Sequence, residues 1–186
     1  MVPVMSLWLP ILLASVVVFI LSSLIHTVLQ YHNRDFAQLP AEDAVMDAIR
    51  NAGVEPGDYA FPRPANHREM KTPEFVEKLT RGPVGFMTIM RSGPPSMGGS
   101  LSQWFVYLIV VSIFAAYITG RALGPGAEYL HVFRFAGAAS FMGYALAHAQ
   151  GSIWFGRRWR VTLLSMFDGL IYALFTAGVF GWLWPA

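Results

Sequence analysis

The chain has 186 residues, 55% hydrophobic and 13% charged, with a formal net charge of +2 and no cysteine. An average soluble domain carries about 25% charged residues, so lipid is the expected solvent for much of this chain. The net charge is too small and too dispersed for nucleic-acid binding, and the missing thiols exclude disulfides, iron–sulfur clusters, covalently attached c-type haem, thiol catalysis, prenylation and palmitoylation.

The charges fall in blocks. No Asp, Glu, Lys or Arg precedes Arg34, and none lies between Arg91 and Arg121, between Arg134 and Arg157, or after Asp168. A helix needs roughly twenty apolar residues to cross about 30 Å of hydrocarbon. The first candidate span covers residues 5–29. It lacks the positive n-region and small-residue cleavage site of a secretory signal, so it reads as an uncleaved helix. Its Ser15, Ser22 and His26, spaced by seven and four, form one stripe expected to face protein.

An insert of residues 31–100 follows. Leu39-Pro40-Ala41-Glu42-Asp43 reads as a helix start with Pro at the first helical position, Val45, Ala48 and Ile49 as its apolar face, and Gly53 as its stop. Thr72-Pro73-Glu74 reads as a second start, with Thr72 as N-cap and Gly82-Pro83 as the end. Residues 58–61, after a Pro56-Gly57 turn, and residues 84–90, whose side chains alternate, are expected to pair as a small sheet. Residues 92–100, rich in Gly, Pro and Ser, read as an irregular linker. So small a unit has little core of its own and is expected to rest against the membrane helices or a partner.

Three further spans are expected at residues 101–120, 129–149 and 161–184, with Trp8, Trp104, Trp159, Trp182 and Trp184 at span ends as interfacial anchors. The expected fold class is therefore an all-α membrane protein: a four-helix transmembrane bundle with a small α+β cytoplasmic insert between helices one and two. Its parts are residues 1–30, 31–100 and 101–186. Arg34, Arg81, Arg91, Arg157, Arg158 and Arg160 lie on one side and Arg121 alone on the other. The positive-inside rule then places residues 31–100 in the cytoplasm and both termini outside. A short chain without an Asn-x-Ser/Thr sequon points to the inner (plasma) membrane of a bacterium.

Lipid gives no hydrophobic drive for helix association, so small residues that admit close backbones mark the contacts. The fourth span carries Gly169, Ala173, Ala177 and Gly181 at every fourth position, the third Ala139, Gly143 and Ala147, and the second Ser112, Ala116 and Gly120. The small side of helix three lies about 140 to 180° from Arg134. It is expected against helix four, leaving Arg134 and His148 toward helix one or the insert. Such faces would also serve a protein partner or a second copy of the chain.

Few polar groups are left for chemistry. His26 and His148 sit near the inner ends of helices one and three, at the depth two imidazoles need to share a b-type haem or a metal. The plainer account is that both are interfacial histidines hydrogen-bonded to backbone, lipid headgroups or the insert. His32 and Asp35 add a set suited to a divalent ion. Asp168 lies about 10 Å below the inner surface by helical rise and must be paired, hydrated or protonated. Tyr172 is one turn deeper and Ser165 one turn shallower, and His148 is the nearest expected base; alternatively Asp168 only fixes helix orientation. Arg134 and His131 lie toward the outer end, where Arg134 can snorkel.

No His-Glu-x-x-His, Gly-x-Ser-x-Gly, phosphate-binding loop or Gly-x-Gly-x-x-Gly occurs, so no catalytic residue is assigned and the sequence favours a non-enzymatic role. Three functions compete. The first is an accessory or scaffold component of a membrane complex. The second is a b-type haem or metal-binding redox protein using His26 and His148. The third is a small proton- or ion-coupled transporter or channel using Asp168 and Tyr172.

Overall fold

In the computed structural model, which describes residues 1–186, three helical stretches are long and apolar enough to cross a membrane: Val4–Leu29, Met97–Ala122 and Trp159–Trp182. The first is not uniform. A 3-10 turn over Val4–Leu7 leads into α1 (Trp8–Leu24), and a π-helical turn over Ile25–Leu29 closes it. Next come α2 (Glu42–Asn51), β1 (Gly57–Phe61), α3 (Pro73–Arg81), β2 (Gly85–Ile89), α4 (Met97–Ala122), α5 (Tyr129–Tyr144), α6 (Ala149–Phe155) and α7 (Trp159–Trp182). The chain divides into two compact units, one of residues 1–35 with 96–186 and one of residues 36–95.

The third expected span is not formed as one helix. α5 has 16 residues, which by a rise of about 1.5 Å per residue is near 24 Å. It stops where two distant residues meet it. The Tyr107 hydroxyl donates to the Gly143 carbonyl at 2.6 Å, occupying an oxygen at the end of α5. Gly169 admits the turn that follows, since a Cβ there would stand 2.9 Å from the Tyr144 carbonyl and from the Ala145 side chain. A 3-10 turn over Leu146–His148 and the short α6 carry the chain to Gly156, whose φ of 67° ends it.

In the first unit α1, α4, α5 and α7 pack together, α5 lying against α4 and α7. The small-residue ladders are used in these contacts except at Ala147, which is exposed beyond the end of α5. Ala173, Ala177 and Ala116 are buried, a Cβ on Gly181 would meet the Tyr129 ring at 2.7 Å, and Gly137 stands opposite Ala177. The expected partner of helix three is thus half right. Gly143 faces Val111 of α4 rather than the fourth span. His131 and Arg134 are exposed and do not face helix one, because the buried side of α5 is Val132, Ala136, Ala139, Ser140 and Tyr144.

The second unit has one buried side chain, Phe75 of α3. Thr72 caps α3 as expected, its hydroxyl accepting from the Phe75 N–H at 3.3 Å, with Pro73 in the first turn. β1 and β2 pair antiparallel with Tyr59 opposite Met87, and the Thr88 hydroxyl bonds Asp58 across the ladder at 2.7 Å. Two boundaries differ from expectation. α2 starts at Glu42, not at Pro40, because Ala41 takes a left-handed conformation with φ 51° and turns the chain. α4 starts inside the expected linker, at Met97, because Ser96 is an effective N-cap and accepts from the Gly99 N–H.

Candidate functional site

The π turn ending the first stretch carries His26, and insertions of this kind concentrate at functional sites. Gln30 then adopts φ 50°, a conformation that costs a non-glycine residue energy and persists only where surrounding contacts hold it. The result is a sharp redirection into a 3-10 turn, Tyr31–Arg34, followed by Asp35. Within ten residues the chain presents His26, Tyr31, His32 and Asp35 to one place on α7.

That place is Asp168, 4% exposed in a helix otherwise free of charge beyond its first turn. Its two oxygens are taken. The Tyr31 hydroxyl donates to Oδ1, and His32 Nε2 stands 2.6 Å from Oδ2. The other ring nitrogen of His32, Nδ1, is 2.5 Å from Asp35 Oδ2. Ionised carboxylates only accept, so a protonated His32 donates to both. Burial pushes its pKa down, but the bonds and charges of Asp35 and Asp168 more than offset this and hold it above the ordinary 6.5. Burial and the Asp168 carboxylate likewise raise the Tyr31 hydroxyl, keeping it protonated.

His26 is exposed and lies flat on His32, the ring centroids 4.9 Å apart and the planes within 3°. Its Nδ1 is 2.9 Å from the Ser22 carbonyl, which can only accept; Nδ1 therefore carries a proton, and in the neutral ring Nε2 carries the lone pair. Ser22 is itself fixed, its hydroxyl bonded to the Phe19 carbonyl and accepting from Trp104 Nε1, both at 2.9 Å. One ligand atom each from His26, His32 and Asp168 fall within 4.8 Å of one another. Donors around a first-row ion, at about 2.1 Å each, stand some 3–4 Å apart, so a small inward movement completes the set.

The electrostatics favour a cation. One guanidinium pairs with the cluster, that of Arg160, whose Nη1 is 3.7 Å from Asp35 Oδ1. With His32 neutral the cluster holds two negative charges against one positive. The outer partners are those that orient metal-binding imidazoles: an acceptor on the far nitrogen of each ring, a carbonyl for His26 and a carboxylate for His32, with a hydroxyl on the ligating carboxylate. Three protein donors leave coordination positions for water or another small ligand.

The expected residues are thus redistributed. Asp168 is central, and its imidazole partner is His32, not His148. His26 pairs with His32, whereas His148 lies outside the ligand group, exposed, bonded to the Tyr144 backbone and within electrostatic range of Asp168 and Arg157. Tyr172 is buried near Asp168 and Tyr31, its hydroxyl without a partner. Ser165, one turn shallower than Asp168, turns back onto its own helix at Val161. His131 and Arg134 play no part in the cluster. Tyr31 was not anticipated; the sequence offers only its adjacency to His32 and the i, i+3 spacing that puts His32 and Asp35 on one side of a turn. No protein-family model, curated protein or solved structure matches this chain.

Proposed function

We propose that this chain is an integral membrane protein that binds a divalent first-row transition metal through His26, His32 and Asp168 at one end of its helix bundle. The observation that carries this reading is the pre-orientation of both imidazoles, each held at Nδ1 by an oxygen acceptor, around a buried carboxylate. Two nitrogens and one carboxylate oxygen suit zinc or iron(II) and give no soft sulfur ligand for copper(I). Asp35 orients His32, Tyr31 holds Asp168, and the exposed His26 leaves an entry from the surface.

The bilayer topology is part of the proposal. α1, α4 and α7 each cross, and α5 with the following turn and α6 makes the fourth crossing, shielded by α4 and α7. The excess of Arg at the His26 end supports a cytoplasmic site and a cytoplasmic position for residues 36–95 in a bacterial inner membrane. The scaffold reading is less favoured, because most of the ladder residues that would have recruited a partner are packed within the chain. A haem between His26 and His148 is not favoured, since His26 is already engaged with Ser22 and His32.

The test is metal analysis of the protein purified in mild detergent from native membranes, followed by stripping and titration with Co²⁺ alone. One equivalent of metal and a ligand-field absorption spectrum are expected, and both should vanish in Asp168→Asn. Protein that arrives metal-free and produces no such spectrum with Co²⁺ sinks the reading.

A further inference from the structure

Five buried side-chain polar atoms make no hydrogen bond of good geometry: Asp35 Oδ1, Thr119 Oγ1, Ser140 Oγ, Tyr144 OH and Tyr172 OH. The first belongs to the cluster above. The other four are on α4, α5 and α7 inside the bundle, with Thr119 and Ser140 at 0% exposure, Tyr144 at 4% and Tyr172 at 5%. Unpaired buried hydroxyls are costly and rare, and buried water is their usual partner.

Contacts join the central hydroxyls, and helix periodicity places Ser140 and Thr119 beyond them. On α7, Asp168, Tyr172 and Thr176 recur at every fourth residue and so share one stripe. The Tyr172 and Tyr144 rings meet edge to face, 5.9 Å between centroids. The Tyr144 hydroxyl lies within weak hydrogen-bonding range of the Thr176 and Ser112 hydroxyls, and Ser15 of α1 bonds Ser112 at 3.3 Å. Ser140 is one turn from Tyr144 along α5. Thr119 is two turns beyond Ser112 along α4, on the turn whose Tyr117 and Arg121 line a surface recess with Met1 and Val2. That recess is at the far end of α1 from His26. Each of the four long helices contributes hydroxyls, and no charged side chain lies on the line beyond Asp168.

We infer that water molecules join these hydroxyls into a hydrogen-bonded file through the bundle, and that the file passes protons between the Asp168 end and the Met1–Val4 end. A hydroxyl or water accepts one proton on a lone pair and releases the other it holds, so one proton enters for each that leaves and no group need store charge. A metal ion has no such route: with neither carboxylates nor rings of carbonyls along the line, nothing replaces its hydration shell. The inference stands on the buried Thr119, Ser140 and Tyr172 hydroxyls, which lack partners, and goes beyond the metal reading without resting on it.

The test uses the full chain in liposomes of phosphatidylethanolamine and phosphatidylglycerol, with chelator on both sides and a valinomycin-set potassium potential as the drive. Luminal pH is read with a trapped dye. Flux several-fold above protein-free liposomes is expected, with a several-fold loss in Tyr144→Phe and Ser140→Ala. Thr119→Val should also lose flux, and Thr119→Ser, which keeps the hydroxyl, should restore it. Ser152→Ala removes a buried hydroxyl that is off the line and bonded to Thr162; it should change nothing. Wild-type flux equal to that of empty liposomes overturns the inference, as does wild-type flux in the Tyr144 and Ser140 variants. Co²⁺ titration of the same preparations separates the two proposals: binding without flux removes the file alone, and flux without binding removes the metal alone.

Discussion

At the end of the bundle built from residues 1–4 and 120–126, backbone oxygens do the closing. The Val2 N–H donates to the Gly120 carbonyl at 2.7 Å, the Gly126 N–H to the Pro185 carbonyl at 2.9 Å, and Trp184 Nε1 to the Gly124 carbonyl at 2.9 Å. At the opposite end α1 loosens into a π turn, a non-glycine residue takes positive φ, and ionisable side chains make the contacts. Geometry that sits outside its usual minima survives only where something over-determines it, and such places are where chemistry collects. The first end is read here as holding the helices together and the second as holding a ligand.

The largest effect that would break this contrast is Asp168→Asn. It removes the charge a cation needs while keeping an oxygen for Tyr31, so Co²⁺ affinity should fall by more than the roughly 10–100-fold typical of losing an outer partner. Isothermal titration in detergent measures it. Near-native affinity in this variant would assign Asp168 to the architecture instead.

Asp35→Asn comes next. Asp35 touches His32 and Arg160 but is not in the ligand group. It should weaken Co²⁺ binding by about 10–100-fold while the one-to-one stoichiometry persists. Loss of stoichiometry would make it a ligand.

Gly120→Ala addresses the other end. A Cβ there would collide with the Val2 carbonyl oxygen, a backbone atom that cannot swing away as a side-chain tip does. Overpacking of this kind costs about 1–3 kcal/mol. The thermal midpoint should drop by several degrees with Co²⁺ affinity unchanged; an equal loss of both would show that the two ends are not independent.

Local devices were legible in the sequence, and long-range ones were not. Thr72 and Pro73 announced α3 because a cap and a first-turn proline act within a few residues. The alternation of residues 84–90 announced β2 for the same reason. The end of α5 depends on Tyr107 and Gly169, which arrive from other helices, so a pattern within residues 129–149 could not reveal it. At the site, Asp168 stood out as a charge in an apolar run. Its partners did not, because depth along ideal helices pointed to His148, while the π turn and the left-handed Gln30 that bring Tyr31 and His32 to it have no sequence signature.

The smallest predicted effect sharpens the contrast through pH. His32 is raised above 6.5 in the folded chain, the carboxylates outweighing burial. In metal-free protein it therefore contributes stability that is fully present below its unfolded value, near 6.5, and is lost as pH rises through the folded value. Thermal melts in chelator should show a midpoint declining over that window, and the decline should flatten in His32→Gln. Metal binding carries the opposite slope, since His32 must release its proton to ligate, so Co²⁺ affinity should climb as the metal-free midpoint falls. Parallel slopes would mean that His32 keeps its proton when Co²⁺ binds, leaving it as a partner of Asp168 and removing it from the ligand set.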